Sequence, residues 1–541
     1  VLAGLGRLGV QGVERTDRKL LDAAALVGHL VPEGSMFAFL ATHRGQLFPD
    51  QEFADLFPSG RGRPSLPAPV AASILTLQSL YDLSDAETAE AARCDLRWKV
   101  AVGMALDDKG FHPSTLTYWR QRLARSGRPH RISQAVKQVV EETGILAGRR
   151  RRAVDSTILA DAVATQDTVT QLVAAVRRVA REVPGAAAKI QAVCSGHDYS
   201  TPGKPKLDWD DPQARDALVS GLVNDATALV AALQDAELDE RAQAAVALLA
   251  LVAGQDVEPA EGSDGTDGRW RIARKVAPDR VISTVDPQAR HTRKSSEQRR
   301  DGYRAHVAAE PETGIITDEE LTQASGSENA EGAVAERFVA AEAGRAAADP
   351  QPDTPSLEWY GDSAYGTGEL RQAIAKAEHV AVLKPKPLQP AVAGGFTVDN
   401  FIVDHAGGMV TCPNGLTRPI STTGVATFGA ACRACPLRSR CTTCKTGRKL
   451  VVGEHDALLR HARRDWAADP DLREADRRHR PNVERVISQL ASRGGRRLKL
   501  HYLGVAANNA WLKRRTAALN LRNLIGRGLI HRDGAWALAT T

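Results

Sequence analysis

The chain of 541 residues has no apolar stretch long enough to cross a bilayer. Its most apolar run, Ala244 to Ala253, falls far short of the roughly 20 residues a spanning helix needs. Val1 to Val13 holds no compact apolar run with a cleavage site, so a cytoplasmic protein with no membrane partner is expected. No internal repeat is present. Cysteines number only seven, and in a cytoplasmic setting they argue against disulfides. No cysteine- or histidine-based catalytic pattern stands out either. If there is chemistry here, carboxylates must carry it.

What is present is an ordinary soluble composition, 25% charged and 43% hydrophobic, in a chain long enough for more than one core. The net charge of +6 points mildly to a polyanionic partner. The charge is uneven. Acids are common from Asp208 to Glu261, and arginines crowd between Arg460 and Arg527.

Hydrophobic period and capping signals divide the chain. Residues 1–131 read as short helices. Lys19–Leu30 and Met36–His43 come first, and then Pro49–Leu56 with Asp50 as its cap. A basic linker, Ser59 to Pro64, leads to a helix whose apolar face is Val70, Ile74, Leu75, Leu77 and Leu80. Ser84 with Glu87 is a capping-box pattern, and Ser114 is expected to cap Thr115–Leu123. The arginines on these helices, Arg120 and Arg122 among them, make this a DNA-binding domain by expectation. Residues 149–166 contain a strand with Asp155, and 167–280 form a helical insertion. Residues 281–390 hold a hairpin (Tyr303–Ala309, Gly314–Gln323), a helix from Ala330 to Ala348, and a β-α-β unit whose first strand ends at Asp362. Residues 391–460 are an irregular, cysteine-rich insertion. Residues 461–541 return to helix, with Arg480-Pro481 read as a helix start and Val483, Val486, Ile487 and Leu490 as its apolar face. The last helix reads as amphipathic and very basic at Lys513, Arg514 and Arg515.

An aspartate at the tip of a buried strand is costly unless something offsets its charge, and a metal ion is the usual answer in a cleft. Asp155 and Asp362 both sit at such positions, and Glu484 lies on a late helix. A strand, a hairpin, a second strand, a helix, a third strand and a late helix, in that order, can build an α/β, RNase-H-like core in which these three acids meet. Magnesium or manganese would suit their hard oxygens. Singly, Asp155 also fits a strand-end turn, Asp362 an N-cap, and Glu484 a partner for nearby arginines.

Several segments together carry a resemblance: Phe111 to Leu116, Val154-Asp155-Ser156-Thr157, Gly302 to Val307, Gly361-Asp362-Ser363-Ala364-Tyr365-Gly366, Arg480-Pro481-Asn482-Val483-Glu484, and Asn520 to Leu524. Along nearly its whole length the chain resembles a bacterial insertion-sequence transposase of the DDE type. The resemblance implies metal-dependent DNA cleavage at the element's ends and strand transfer to a target. It makes Asp155, Asp362 and Glu484 the catalytic acids, and a homodimer the expected active complex. Arg477, Arg478, Arg480 and Arg485 would then hold phosphates. Two departures stand out. Asp476 or Arg477 occupies the place of a tyrosine often found before the glutamate, and Gln323 to Glu328 lacks an expected aspartate. The other readings are a transposase-derived DNA-binding protein without catalysis, and another RNase-H-like nuclease.

Cys94 and Cys194 stand alone and read as structural. Two Cys-x-x-Cys pairs, Cys432/Cys435 and Cys441/Cys444, can hold one structural zinc, with Cys412 as the alternative ligand.

Overall fold

The computed structural model describes residues 10–14, 21–59, 62, 64–201, 203–293, 299–348 and 356–539. Lys19, part of the Ser59–Pro64 linker and Lys294 lie outside these.

The N-terminal unit is a bundle: α1 (Met36–Leu47), α2 (Ala68–Tyr81), α3 (Asp85–Cys94), α4 (Leu96–Val102), α5 (Ser114–Arg125) and α6 (Arg131–Glu142). The Ser84–Glu87 capping box at α3 forms as expected. Two other caps do not. Asp50 is the first residue of a 3-10 turn capped by Pro49, and Ser114 is the first residue of α5, after Pro113. Helix α2 buries every residue from Ala68 to Leu80 instead of one face, because helices pack on all its sides. Cys94 is exposed.

The second unit is built on a sheet. Strand β1 is Arg151–Ala160; after the insertion come β2 (Arg299–Ala309), β3 (Ile316–Gln323), β4 (Glu358–Gly361) and β5 (Val380–Leu383). The order across the sheet is β5-β4-β1-β2-β3, with a short strand, Arg290–Arg293, also paired to β2. Strands β4 and β5 run parallel to β1 and β4 respectively, and β2 and β3 are antiparallel to their neighbours. Gly302 is required where β2 meets β1: its φ is +144°, and a Cβ there would stand 2.0 Å from the Leu159 carbonyl oxygen. The helical insertion between β1 and β2 has its own core, including Leu172, Val176, Leu222 and Leu249.

Helices α7 (Glu331–Ala348) and α8 (Gly368–Lys376) cover one face of the sheet, packing Phe338, Val339, Leu370 and Ile374 against Val154 and Trp359. On the other face lie α9 (Pro470–Ala491) and α10 (Val505–Gly526), whose core is continuous with the N-terminal bundle. Helix α9 corrects the expected start at Arg480-Pro481. The helix begins at Pro470, with Asp469 as its cap, and Pro481 lies inside it. An interior proline removes a hydrogen bond and crowds the preceding turn. Pro481 is on the exposed side, while Val483, Val486 and Leu490 hold the opposite side to the sheet.

Helix α10 is also corrected. Arg514 and Arg515 are buried, not displayed. The Arg515 guanidinium donates to the carbonyls of Leu490 (2.6 Å), Ser79 (2.8 Å) and Gln489 (2.9 Å), tying the bundle to α9. Lys513 and Lys137 both reach Glu319 on β3 at 3.2 Å. Asn520 grips the edge strand: its Oδ1 accepts from the Ile316 N–H (2.9 Å), and its Nδ2 donates to the Ile316 carbonyl (2.8 Å). Asn509 accepts from Leu321 N–H, and Asn523 donates to Thr313. These side chains satisfy an edge that would otherwise invite pairing with another chain. Among the described residues, no helix is long and apolar enough to cross a membrane.

Candidate active site

The site is built by strand register. In the parallel pair β1–β4, Ala153 stands opposite Tyr360. Two residues further along each chain come Asp155, within β1 and on the same side as Ala153, and Asp362, one residue past the end of β4. Backbones of neighbouring strands lie roughly 5 Å apart. That side is the one covered by α9: Tyr360 meets His479 ring to ring at 5.4 Å, and Ala153, Tyr360 and Val483 share one core. One residue beyond Val483 is Glu484.

The electrostatics agree with this convergence. Asp155 is pushed up to about 6, chiefly by burial. The Ser156 N–H it accepts opposes that rise, the Asp362 and Glu484 carboxylates add to it, and Arg480 again opposes it. Asp362 is half-buried and its Oδ1 accepts the Ala364 N–H at 2.8 Å. The turn it opens leads to Thr367, which caps α8. Gly366 lets that turn press on the backbone just after β5, since a Cβ there would sit 2.6 Å from the Lys384 carbonyl oxygen. Glu484 is exposed and ion-paired with Arg480 at 2.9 Å. As they stand, no three His, Cys, Asp or Glu groups among the described residues are spaced to hold one ion.

Other groups around these acids were not legible as site residues. Asp476 is buried two turns before Glu484 with one carboxylate oxygen unpartnered. Its pKa is raised by burial, lowered by Arg480 and Lys384, and raised by Asp362. Glu331, at the start of α7, pairs with Arg304 and faces the cleft beside Asp362. Tyr365 is buried beneath Asp155, its hydroxyl near Ser156 but short of a hydrogen bond. The only signal in the sequence was that Asp476 and Tyr365 lie near the acids in the chain. Nothing in the sequence joins Glu331 to them.

The expected DNA-binding arginines separate into two groups. Arg477, Arg478 and Arg485 are exposed on α9, with Arg477 ion-paired to Glu474 at 2.8 Å. Arg120 is turned inward: it holds Asp85 with both Nη atoms, at 2.8 and 2.5 Å, and stacks on Tyr502. Arg122 donates to the Leu56 carbonyl at 2.6 Å and lies over Phe57. These two bind the bundle together, because each lies within reach of an acceptor on a neighbouring element. Cys412, Cys432, Cys435 and Cys441 line one cavity, whereas Cys444 is exposed.

Two family profiles match the chain. A transposase domain (DUF772) spans residues 27–122, from before α1 into α5 of the N-terminal bundle, and a transposase DDE domain spans 411–525, which includes Cys412 to Cys444, α9 with Glu484, and most of α10. The transposase DDE match indicates a DNA-cleaving and strand-transferring enzyme, and the two matches together support an insertion-sequence transposase of the DDE type. Asp155 and Asp362 lie outside both matched segments. No curated protein and no solved structure matches.

Proposed function

We propose that the chain cleaves DNA at the ends of an insertion element and joins the freed 3′ ends to target DNA, with Asp155, Asp362 and Glu484 as the catalytic acids. The observation that supports this reading is that β1, which bears Asp155, pairs in parallel with β4, whose end leads directly into Asp362, and that the Asp362 and Glu484 carboxylates both act on Asp155. In chain order the sheet reads 3-2-1-4-5, with the second strand antiparallel to the first and the fourth parallel to it. That order supports an RNase-H-like core for the sheet.

The donor set fits a hard divalent cation, Mg²⁺ or Mn²⁺. It offers carboxylate oxygens only, and Asp155 holds its proton unusually tightly because burial and its acidic neighbours penalise its charge. Asp155, Asp362 and Glu484 would hold the ions, which when bound activate the attacking oxygen and stabilise the leaving oxygen of a phosphodiester. Arg480 neutralises Glu484 in the free protein and is placed to pass to a phosphate when DNA arrives. Arg477, Arg478 and Arg485 present cations along the exposed side of α9. A second DNA surface is the groove of the N-terminal bundle, with Lys109, Tyr118 and Arg125 on its walls. Two element ends call for two active sites, so the working complex is a homodimer, acting on DNA in the cytoplasm.

The test is cleavage of DNA carrying the element's flanking ends, with Mg²⁺, by the native chain and by Asp362→Ala. Nicking at the ends that disappears in the variant is expected. DNA binding without cleavage by either protein would move the assignment to a DNA-binding derivative.

A further inference from the structure

The cysteine-rich insertion folds around very little. Its strands are three residues each: Ile402–Asp404, Met409–Thr411, Thr417–Pro419, Val425–Thr427 and Lys449–Val451. Its buried apolar core is Phe401, Val410, Ala426, Phe428, Leu450 and Val452. A core that small rarely holds a subdomain without a staple, and small folds commonly use a disulfide or a metal. All the cysteines here are free thiols.

Four of these thiols come from separate parts of the chain to one cavity. Cys412 follows the strand Met409–Thr411 and opens a tight turn, its carbonyl accepting from Gly415 N–H at 2.8 Å. Cys432 and Cys435 flank a second turn, and Cys441 ends the helical turn Arg438–Cys441. All four line the same cavity, with Phe401 and Phe428 at its apolar wall. The Arg448 backbone N–H donates to Cys432 Sγ at 3.4 Å. Cys444, the second cysteine of its Cys-x-x-Cys pair, stands apart: it is exposed, with its Sγ on Thr446 Oγ1 at 3.1 Å.

We propose that Cys412, Cys432, Cys435 and Cys441 form a structural zinc site that staples this subdomain, and that Cys444 is not a ligand. The set therefore differs from the one adjacent Cys-x-x-Cys pairs suggest. Four thiolates in a closed set suit tetrahedral Zn²⁺ in a structural role. The thiols line the wall of the cavity without yet meeting at ligand spacing, so zinc draws them inward and closes the turns around it.

The test is metal analysis of the full chain purified without chelator, beside Cys412→Ser and Cys444→Ser. About one zinc per chain is expected in the native protein and in Cys444→Ser, and loss in Cys412→Ser. Native protein without zinc after incubation with Zn²⁺, iron in place of zinc, or loss in Cys444→Ser with retention in Cys412→Ser would overturn the proposal. If Cys412→Ser fails to fold, Co²⁺ binding to the native chain and to Cys444→Ser decides the matter. Equal thiolate-to-cobalt charge-transfer intensity, as for four sulfurs, is expected in both. A weaker band in Cys444→Ser would refute the ligand set.

Discussion

Replacing Asp155 with asparagine should make the metal-free protein more stable while destroying cleavage. The reason is the position of the folded-state pKa, raised from 3.8 to about 6 by burial, with the Asp362 and Glu484 carboxylates adding to it against the Ser156 N–H and Arg480. Below about pH 4 the group is protonated both folded and unfolded, and it imposes no penalty. Between about pH 4 and 6 the unfolded chain releases the proton while the folded chain keeps it, so stability falls as pH rises. Above about 6 the penalty is complete, at about 3 kcal/mol for a displacement of this size. The asparagine side chain carries no charge and escapes it. The assay is the melting temperature of native and Asp155→Asn protein from pH 4.5 to 8 in EDTA. The advantage of the variant should be small at the acid end and grow to a plateau above pH 7. In a chain this long the plateau should amount to a few degrees, because a given free energy moves the melting point less as size increases. Mg²⁺ should then stabilise the native protein and leave the variant unmoved. A difference that does not change with pH, or a variant less stable than native at pH 8, would refute the argument that burial and acidic neighbours strain Asp155.

Two further outcomes follow from contacts on other elements. Arg515→Met should destabilise the protein by about 3 kcal/mol or more, since it leaves the carbonyls of Leu490, Ser79 and Gln489 buried without their charged donor; denaturant midpoints check this. Gly366→Ala should lower end cleavage at least about tenfold with an unchanged circular dichroism spectrum, because its Cβ would push the Asp362 turn off the Lys384 backbone and small displacements at a reacting centre are costly.

Much of the architecture could be read from local pattern. The hairpin of β2 and β3, the β-α-β unit around Asp362, the helical insertion and the Ser84–Glu87 capping box all formed where period and turn chemistry placed them. The misreadings share a cause. Proline favours first turns, which predicts a helix start at Pro481, yet packing of Val483, Val486 and Leu490 carries α9 straight through it. The basic run at Lys513, Arg514 and Arg515 reads as the charged side of an amphipathic helix, yet Arg514 and Arg515 are buried, carbonyls from distant segments accept from Arg515, and Glu319 pairs with Lys513. Arg120 and Arg122 were misread in the same way.

By itself, then, the sequence determined that one carboxylate lies on a strand, one just past another strand and one on the late helix, since strand and helix periods are local properties of the chain. Asp155, however, sits in the middle of β1 and not at its tip. It also determined that thiols gather between residues 412 and 444. Only the tertiary structure decided the rest. It paired β1, which bears Asp155, with the strand that leads into Asp362, turned arginines inward as struts, buried Asp476 within the electrostatic reach of Asp362, brought Glu331 to the cleft beside Asp362, and separated Cys444 from the four thiols around one cavity. Register between strands hundreds of residues apart, and the acceptor a long cationic side chain finds, depend on which surfaces are buried together. No local window of sequence contains that information.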